Sequence, residues 1–189
     1  MKKRVLFVLV VLGFFPGREG GLVKAAEALE LKNGDRIVLL GNTLIERAQT
    51  YGYLEAILVS GHPGLNLTFR NLGWSGDNVF GHSRAVFDPA PRGFGKLLKQ
   101  VSTAKPTVLV IGYGSNAAYD GEAGLSSFIT GYTRLLDAVS QTGARIALLS
   151  PVRLEKKKPP LPDPAAQNRN VAIYAAAISK IAQERKLVF

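Results

Sequence analysis

Beyond residue 35 the chain alternates between two hydrophobic rhythms. Short, nearly continuous apolar runs occupy 36–40, 107–111 and 145–149, and 67–71 reads as a further strand. The first lies between Asn33-Gly34-Asp35 and Gly41-Asn42, residue types that break regular structure. Longer stretches at 44–59, 125–139 and 165–185 instead space their apolar residues for a helix face. In the first of these Leu44, Ile45, Ala48, Leu54, Ile57 and Leu58 are available for one broad face. Residues 186–189 read as the opening of a fifth strand. Strands that are apolar throughout and separated by helices predict a parallel sheet covered on both faces. In such sheets ligands bind beyond the carboxyl ends of the strands. The loops after Leu40, Asn71, Ile111 and Leu149 are therefore the ones to inspect.

A chain of 189 residues suits one domain, with no repeat or low-complexity tract. Its N-terminus has a different layout. Lys2-Lys3-Arg4 precede eleven apolar residues at 5–15, too few to span a bilayer comfortably, and Ala25, Ala26 and Ala28 follow. That pattern predicts a secretory signal peptide over 1–26, an exported protein, and a folded domain over 27–189 with no stable membrane insertion.

The segment also alters the meaning of the charge. The whole chain carries +10, but removing 1–26 leaves 19 basic against 13 acidic side chains. The remaining excess is dispersed, apart from Lys156-Lys157-Lys158, which Pro159-Pro160 mark as a solvated loop. Nucleic acid is not an expected partner. The absence of cysteine excludes disulfides, thiolate catalysis and Cys-ligated zinc within the chain. No metal or cofactor is expected.

Three strand-end loops carry candidate chemistry. Gly41-Asn42-Thr43-Leu44-Ile45-Glu46 places a hydroxyl at a helix start, where Thr43 with Glu46 also fits a capping box. Asn71-Leu72-Gly73-Trp74-Ser75-Gly76-Asp77-Asn78 has the small residues that let backbone N–H groups approach a ligand, or make a tight turn. In Gly112-Tyr113-Gly114-Ser115-Asn116 the final amide can serve an oxyanion or its own turn.

In combination and order these segments resemble the first three sequence blocks of the SGNH (GDSL-type) hydrolase superfamily, over residues 35 to 189. Gly41-Asn42-Thr43, Asn71 to Asp77 and Ser150-Pro151 look closest to a divergent branch found at the N-terminus of large exported bacterial proteins, some with c-type haem modules. The resemblance implies a three-layer α/β/α fold with a flavodoxin-like, five-stranded parallel sheet. It implies hydrolysis of ester-linked acyl groups, with a small-molecule or glycan ester as partner. Carried over, Thr43 takes the nucleophile position, and Gly76 and Asn116 the oxyanion-hole positions. Asn42, Trp74, Ser75 and Tyr113 fall where substrate would lie, and Trp74 and Tyr113 are candidates to stack on a sugar ring.

Two departures bear on activity. The family's Gly-Asp-Ser is here Gly-Asn-Thr, and threonine's extra methyl stiffens χ1 and crowds the attack. The family's last block, Asp-x-x-His, is not found, so the C-terminal end is expected to be incomplete and the catalytic base absent. His62 and His82 are poor substitutes, both lying in loops. The expectation is a weak or inactive esterase domain; the alternative is a non-catalytic carbohydrate- or ligand-binding domain on the same fold. A flavodoxin-like nucleotide binder ranks last, because no P-loop or Rossmann glycine pattern is present.

Overall fold

The computed structural model describes residues 28–189. The predicted signal segment lies outside them. Four parallel strands, β1 (Arg36–Gly41), β2 (Thr68–Gly73), β3 (Val108–Gly112) and β4 (Arg145–Leu148), form one sheet in the order β2-β1-β3-β4. Five helices accompany them: α1 (Thr43–Ala48), α2 (Tyr53–Gly61), α3 (Arg92–Ala104), α4 (Gly121–Ser140) and α5 (Ala165–Arg185).

Side chains alternate across a strand, so one apolar run supplies two cores. Val38, Leu40, Leu109, Ile111 and Leu148 point to the larger core, under Phe94 and Leu97 of α3, Leu135 of α4 and Tyr174 of α5. Ile37, Leu39 and Val108 point the other way, against Ile45 of α1 and Leu58 of α2. Helices therefore cover both faces of the sheet, as the continuous apolar strands require.

The expected helix over 44–59 is two helices. Gly52, at φ +62°, starts α2 in the left-handed region, where an α-helix cannot continue from α1. None of the α2 residues is buried, and Tyr53, Ile57 and Val59 remain exposed despite their helical spacing. The three expected helical stretches did not include α3, although Phe94, Leu97, Leu98 and Val101 carry the right period.

The sheet has four strands where five were expected. The left-handed cap at Lys186 turns the chain, and only Val188 joins the β4 edge, in a single parallel bridge to Ala147. The backbone N–H of Leu148 donates to the Val188 carbonyl at 2.8 Å. Lysines 156–158 are exposed. No helix among the described residues is long and apolar enough to cross a membrane.

Candidate active site

Three glycines make a row at the carboxyl edge of the sheet, Gly41 lying between Gly73 and Gly112 in the strand register. Close approach of backbone explains two of them. A Cβ on Gly73 would sit 2.1 Å from the Glu46 nitrogen, and one on Gly41 would sit 2.4 Å from the Gly112 carbonyl oxygen. Helix α1 therefore rests directly on the strand ends. Asn71 fastens it there, its Nδ2 donating to the Ile45 carbonyl at 2.7 Å while its Oδ1 accepts from the Gly73 N–H at 2.7 Å.

The cap of α1 is Asn42 rather than Thr43. The buried Asn42 accepts the Leu44 N–H on Oδ1 at 3.4 Å, and its Nδ2 has no partner. The Thr43 hydroxyl faces the β2 loop instead, where Oγ1 accepts the Gly76 N–H at 3.1 Å. Glu46 is likewise drawn away from a capping box. It accepts the Ser75 hydroxyl at 2.9 Å and pairs with Arg47 at 3.4 Å.

Gly76 adopts φ +71°, a left-handed conformation that suits glycine. Its carbonyl accepts the Ser83 hydroxyl at 2.9 Å. Trp74, 37% exposed, donates its backbone N–H to the Gly41 carbonyl at 3.0 Å. After β3 the chain turns through Gly114, at φ +120°, to the half-buried Asn116. Asn116 precedes a 3-10 turn at Ala117–Asp120, and its side chain makes no capping bond to that turn.

Tyr113 is not a stacking surface in this conformation. It is 2% exposed and donates its hydroxyl to Asp77 Oδ2 at 2.8 Å. Burial, and then the Asp77 charge, push its pKa well above the ordinary tyrosine range. Asp77 in turn accepts from Arg84 Nε at 2.7 Å, a fully enclosed ion pair. Sequence reasoning did not identify Arg84. Nothing local separates it from Arg70 or Arg92, which stay less enclosed.

Neither histidine bonds to Thr43. His82 stacks on Phe80 with ring centroids 5.3 Å apart and accepts from Asn78 Nδ2 at Nδ1, 3.2 Å away. His62 donates from Nδ1 to the Leu58 carbonyl at 2.9 Å, closing the end of α2. Among the described residues no group of His, Asp and Glu could hold a metal ion. Two surface hollows, of about 460 and 520 Å³, include none of Thr43, Gly76 and Asn116. The strand-end site brings together a hydroxyl and a backbone N–H, with a neighbouring loop that carries a primary amide.

Comparison with known proteins bears on the family and the fold. Residues 41–189 match the model of the GDSL-like lipase/acylhydrolase family. No curated protein matches the chain. A catalytic mutant of Axe2, an acetylxylan esterase from Geobacillus stearothermophilus, superposes with a TM-score of 0.63 at 16% identity, covering 83% of this chain and 75% of that one. TesA gives a TM-score of 0.58 at 18% identity, over 80% of this chain and 75% of its own. A gut microbial diltiazem-metabolizing enzyme gives 0.60 at 16% identity; 84% of this chain is covered, but only 36% of that enzyme. At these identities the likeness is one of fold. The family match spans most of the chain, and the protein belongs to the GDSL-like lipase/acylhydrolase family.

Proposed function

We propose that the domain is an ester hydrolase of low intrinsic turnover, in which Thr43 is the nucleophile and Gly76 and Asn116 stabilise the oxyanion. The observation that carries this reading is the 3.1 Å hydrogen bond from the Gly76 N–H to Thr43 Oγ1. A donor already at the attacking oxygen is within reach of the negative charge that forms beside it when an acyl carbon is attacked. Asn116 follows the neighbouring strand β3 at the same edge, and its side chain makes no capping bond to the turn after it.

The low turnover follows from what else touches Thr43. Among the described residues no imidazole or carboxylate hydrogen bonds to its hydroxyl, and general-base assistance contributes about 10²–10⁴ in rate. The family acts on esters, and Axe2, a neighbour of the same fold, is an acetylxylan esterase. The substrate class proposed is accordingly a small or glycan-borne acyl ester. The Lys2–Ala28 pattern supports export as the setting.

Hydrolysis of p-nitrophenyl acetate tests this directly. Thr43→Ser, which relieves the crowded attack, should raise the rate several-fold, and Thr43→Ala should bring it to the blank. Equal rates for all three would remove Thr43 from the chemistry. One observation favours binding without catalysis as a second reading: Trp74 is partly exposed beside the site. A glycan that quenches Trp74 emission equally in the parent and in Thr43→Ala would support that reading.

A further inference from the structure

Arg84 takes no chemical part in this scheme, yet it is among the most enclosed side chains, 2% exposed. A guanidinium at that depth is costly to desolvate unless its donors are used. Here they are used. Nε donates to Asp77 Oδ2 at 2.7 Å, Nη2 to the Leu72 carbonyl at 2.7 Å, and Nη1 to Gln100 Oε1 at 2.6 Å. The Tyr113 oxygen lies 3.4 Å from Nη2, and the Trp74 ring centroid 5.7 Å from Cζ.

These partners bracket one loop. Leu72 leads into it, Trp74 lies within it, and Asp77 follows Gly76 directly. With glycine at both 73 and 76 the loop has little torsional restraint of its own. An oxyanion donor is useful only if it is fixed before charge develops. Asp77 Oδ1 has no partner, so Arg84 and Tyr113, both on Oδ2, are the side chains that retain the carboxylate.

We propose that Arg84 is a positioning residue, which clamps the Gly73–Asp77 loop so that the Gly76 N–H stays on the Thr43 hydroxyl. This rests on reading Gly76 as an oxyanion donor. Arg84→Lys keeps a positive charge but replaces the fork with a single ammonium, which cannot hold Asp77, the Leu72 carbonyl and Gln100 at once, so the loop is released and Gly76 with it.

Backbone NMR relaxation on the full chain and on Arg84→Lys tests it. In the parent the Gly76 N–H should be rigid, with an order parameter of about 0.85, and in Arg84→Lys it should fall below about 0.6. Amides of β1 and β3 should stay rigid in both. Emission from Trp74, the sole tryptophan, should shift in the variant. On p-nitrophenyl acetate kcat should fall with KM little changed. A Gly76 amide as rigid in folded Arg84→Lys as in the parent overturns the proposal. So does equal loosening of β1 and β3, which would make Arg84 a general structural support. The deciding signal is the Gly76 amide, so a parent without turnover counts against the esterase reading alone. If Arg84→Lys does not fold, Gln100→Ala decides: it removes one acceptor of the guanidinium and should loosen Gly76 partially, and an unchanged Gly76 there overturns the proposal.

Discussion

The two ends of the sheet treat their polar groups in opposite ways. At the amino edge Asp35 is buried and satisfied on both oxygens. It accepts the Lys32 N–H at 2.6 Å, the Thr107 hydroxyl at 2.7 Å and Arg145 Nη2 at 2.5 Å. Arg145 also donates to the Glu30 carbonyl, and Thr107 Oγ1 accepts the Arg36 N–H at 2.9 Å. At the carboxyl edge the buried Asn42 Nδ2 and Asp77 Oδ1 have no partner, and the Asn116 side chain makes no capping bond. A buried group left without a partner costs about 1–3 kcal/mol, so the carboxyl edge is the less stabilised of the two. One end ties the starts of β1, β3 and β4 together, and the other carries the residues proposed for the chemistry.

Glycine substitutions should separate the two ends most sharply. Gly73→Ala forces a methyl to 2.1 Å from the Glu46 backbone and should cost about 3 kcal/mol or more, read from urea midpoints. Gly34→Ala, near the amino edge, meets nothing within 4 Å and suffers only its φ of +83°, so about 1–2 kcal/mol is expected. Equal losses would mean that α1 does not rest on the strand ends as described.

Acid titration sharpens the comparison at the satisfied end. Burial raises the Asp35 pKa, but the Lys32 N–H, the Thr107 hydroxyl and Arg145 together outweigh it and hold the carboxyl below its ordinary 3.8. A depressed folded pKa stabilises the protein above the unfolded value, and that stability is lost as pH falls through the folded one. Asp35→Asn should therefore cost about 2 kcal/mol at neutral pH, because hydrogen bonds to a charge are lost. The deficit should shrink once pH drops below about 4, as the parent protonates. A deficit that is constant across that window would assign the cost to packing.

The smallest effect expected is at Lys105, which ends α3 in the left-handed region at φ +47°. Lys105→Gly should stabilise by up to about 1 kcal/mol and leave the carboxyl edge unchanged. A loss of stability in the urea midpoint would show that the lysine side chain matters more than its backbone.

Much of the fold was legible because β1, β3 and β4 are apolar runs bounded by residues that break regular structure. The site was legible to the extent that its chemistry demands residue types. Glycines at 41 and 73 are required by backbone contact, and the Thr43 hydroxyl and Gly76 N–H, both singled out in the sequence, meet at 3.1 Å. What escaped depended on distant partners. Arg84 and Asp77 are seven residues apart and meet Tyr113 from another strand end, so no local pattern announces their burial. Tyr113 did carry a signal. It stands two residues past Ile111, and the strand's period of two continues beyond β3 and turns it into the same core. The break at Gly52 was hidden for the opposite reason, since the apolar spacing of 44–59 runs through it although α2 buries none of its residues.

The most direct measurement is rescue by an added base. Initial rates on p-nitrophenyl acetate are followed as imidazole is raised, after subtraction of the rate with imidazole alone, for the parent and for Thr43→Ala. If Thr43 is a nucleophile lacking only its base, the parent should show a saturable gain with imidazole, by a factor within the ~10²–10⁴ that base catalysis supplies, and Thr43→Ala should show none. The same response in both proteins, or in neither, would contradict Thr43 as the reacting hydroxyl.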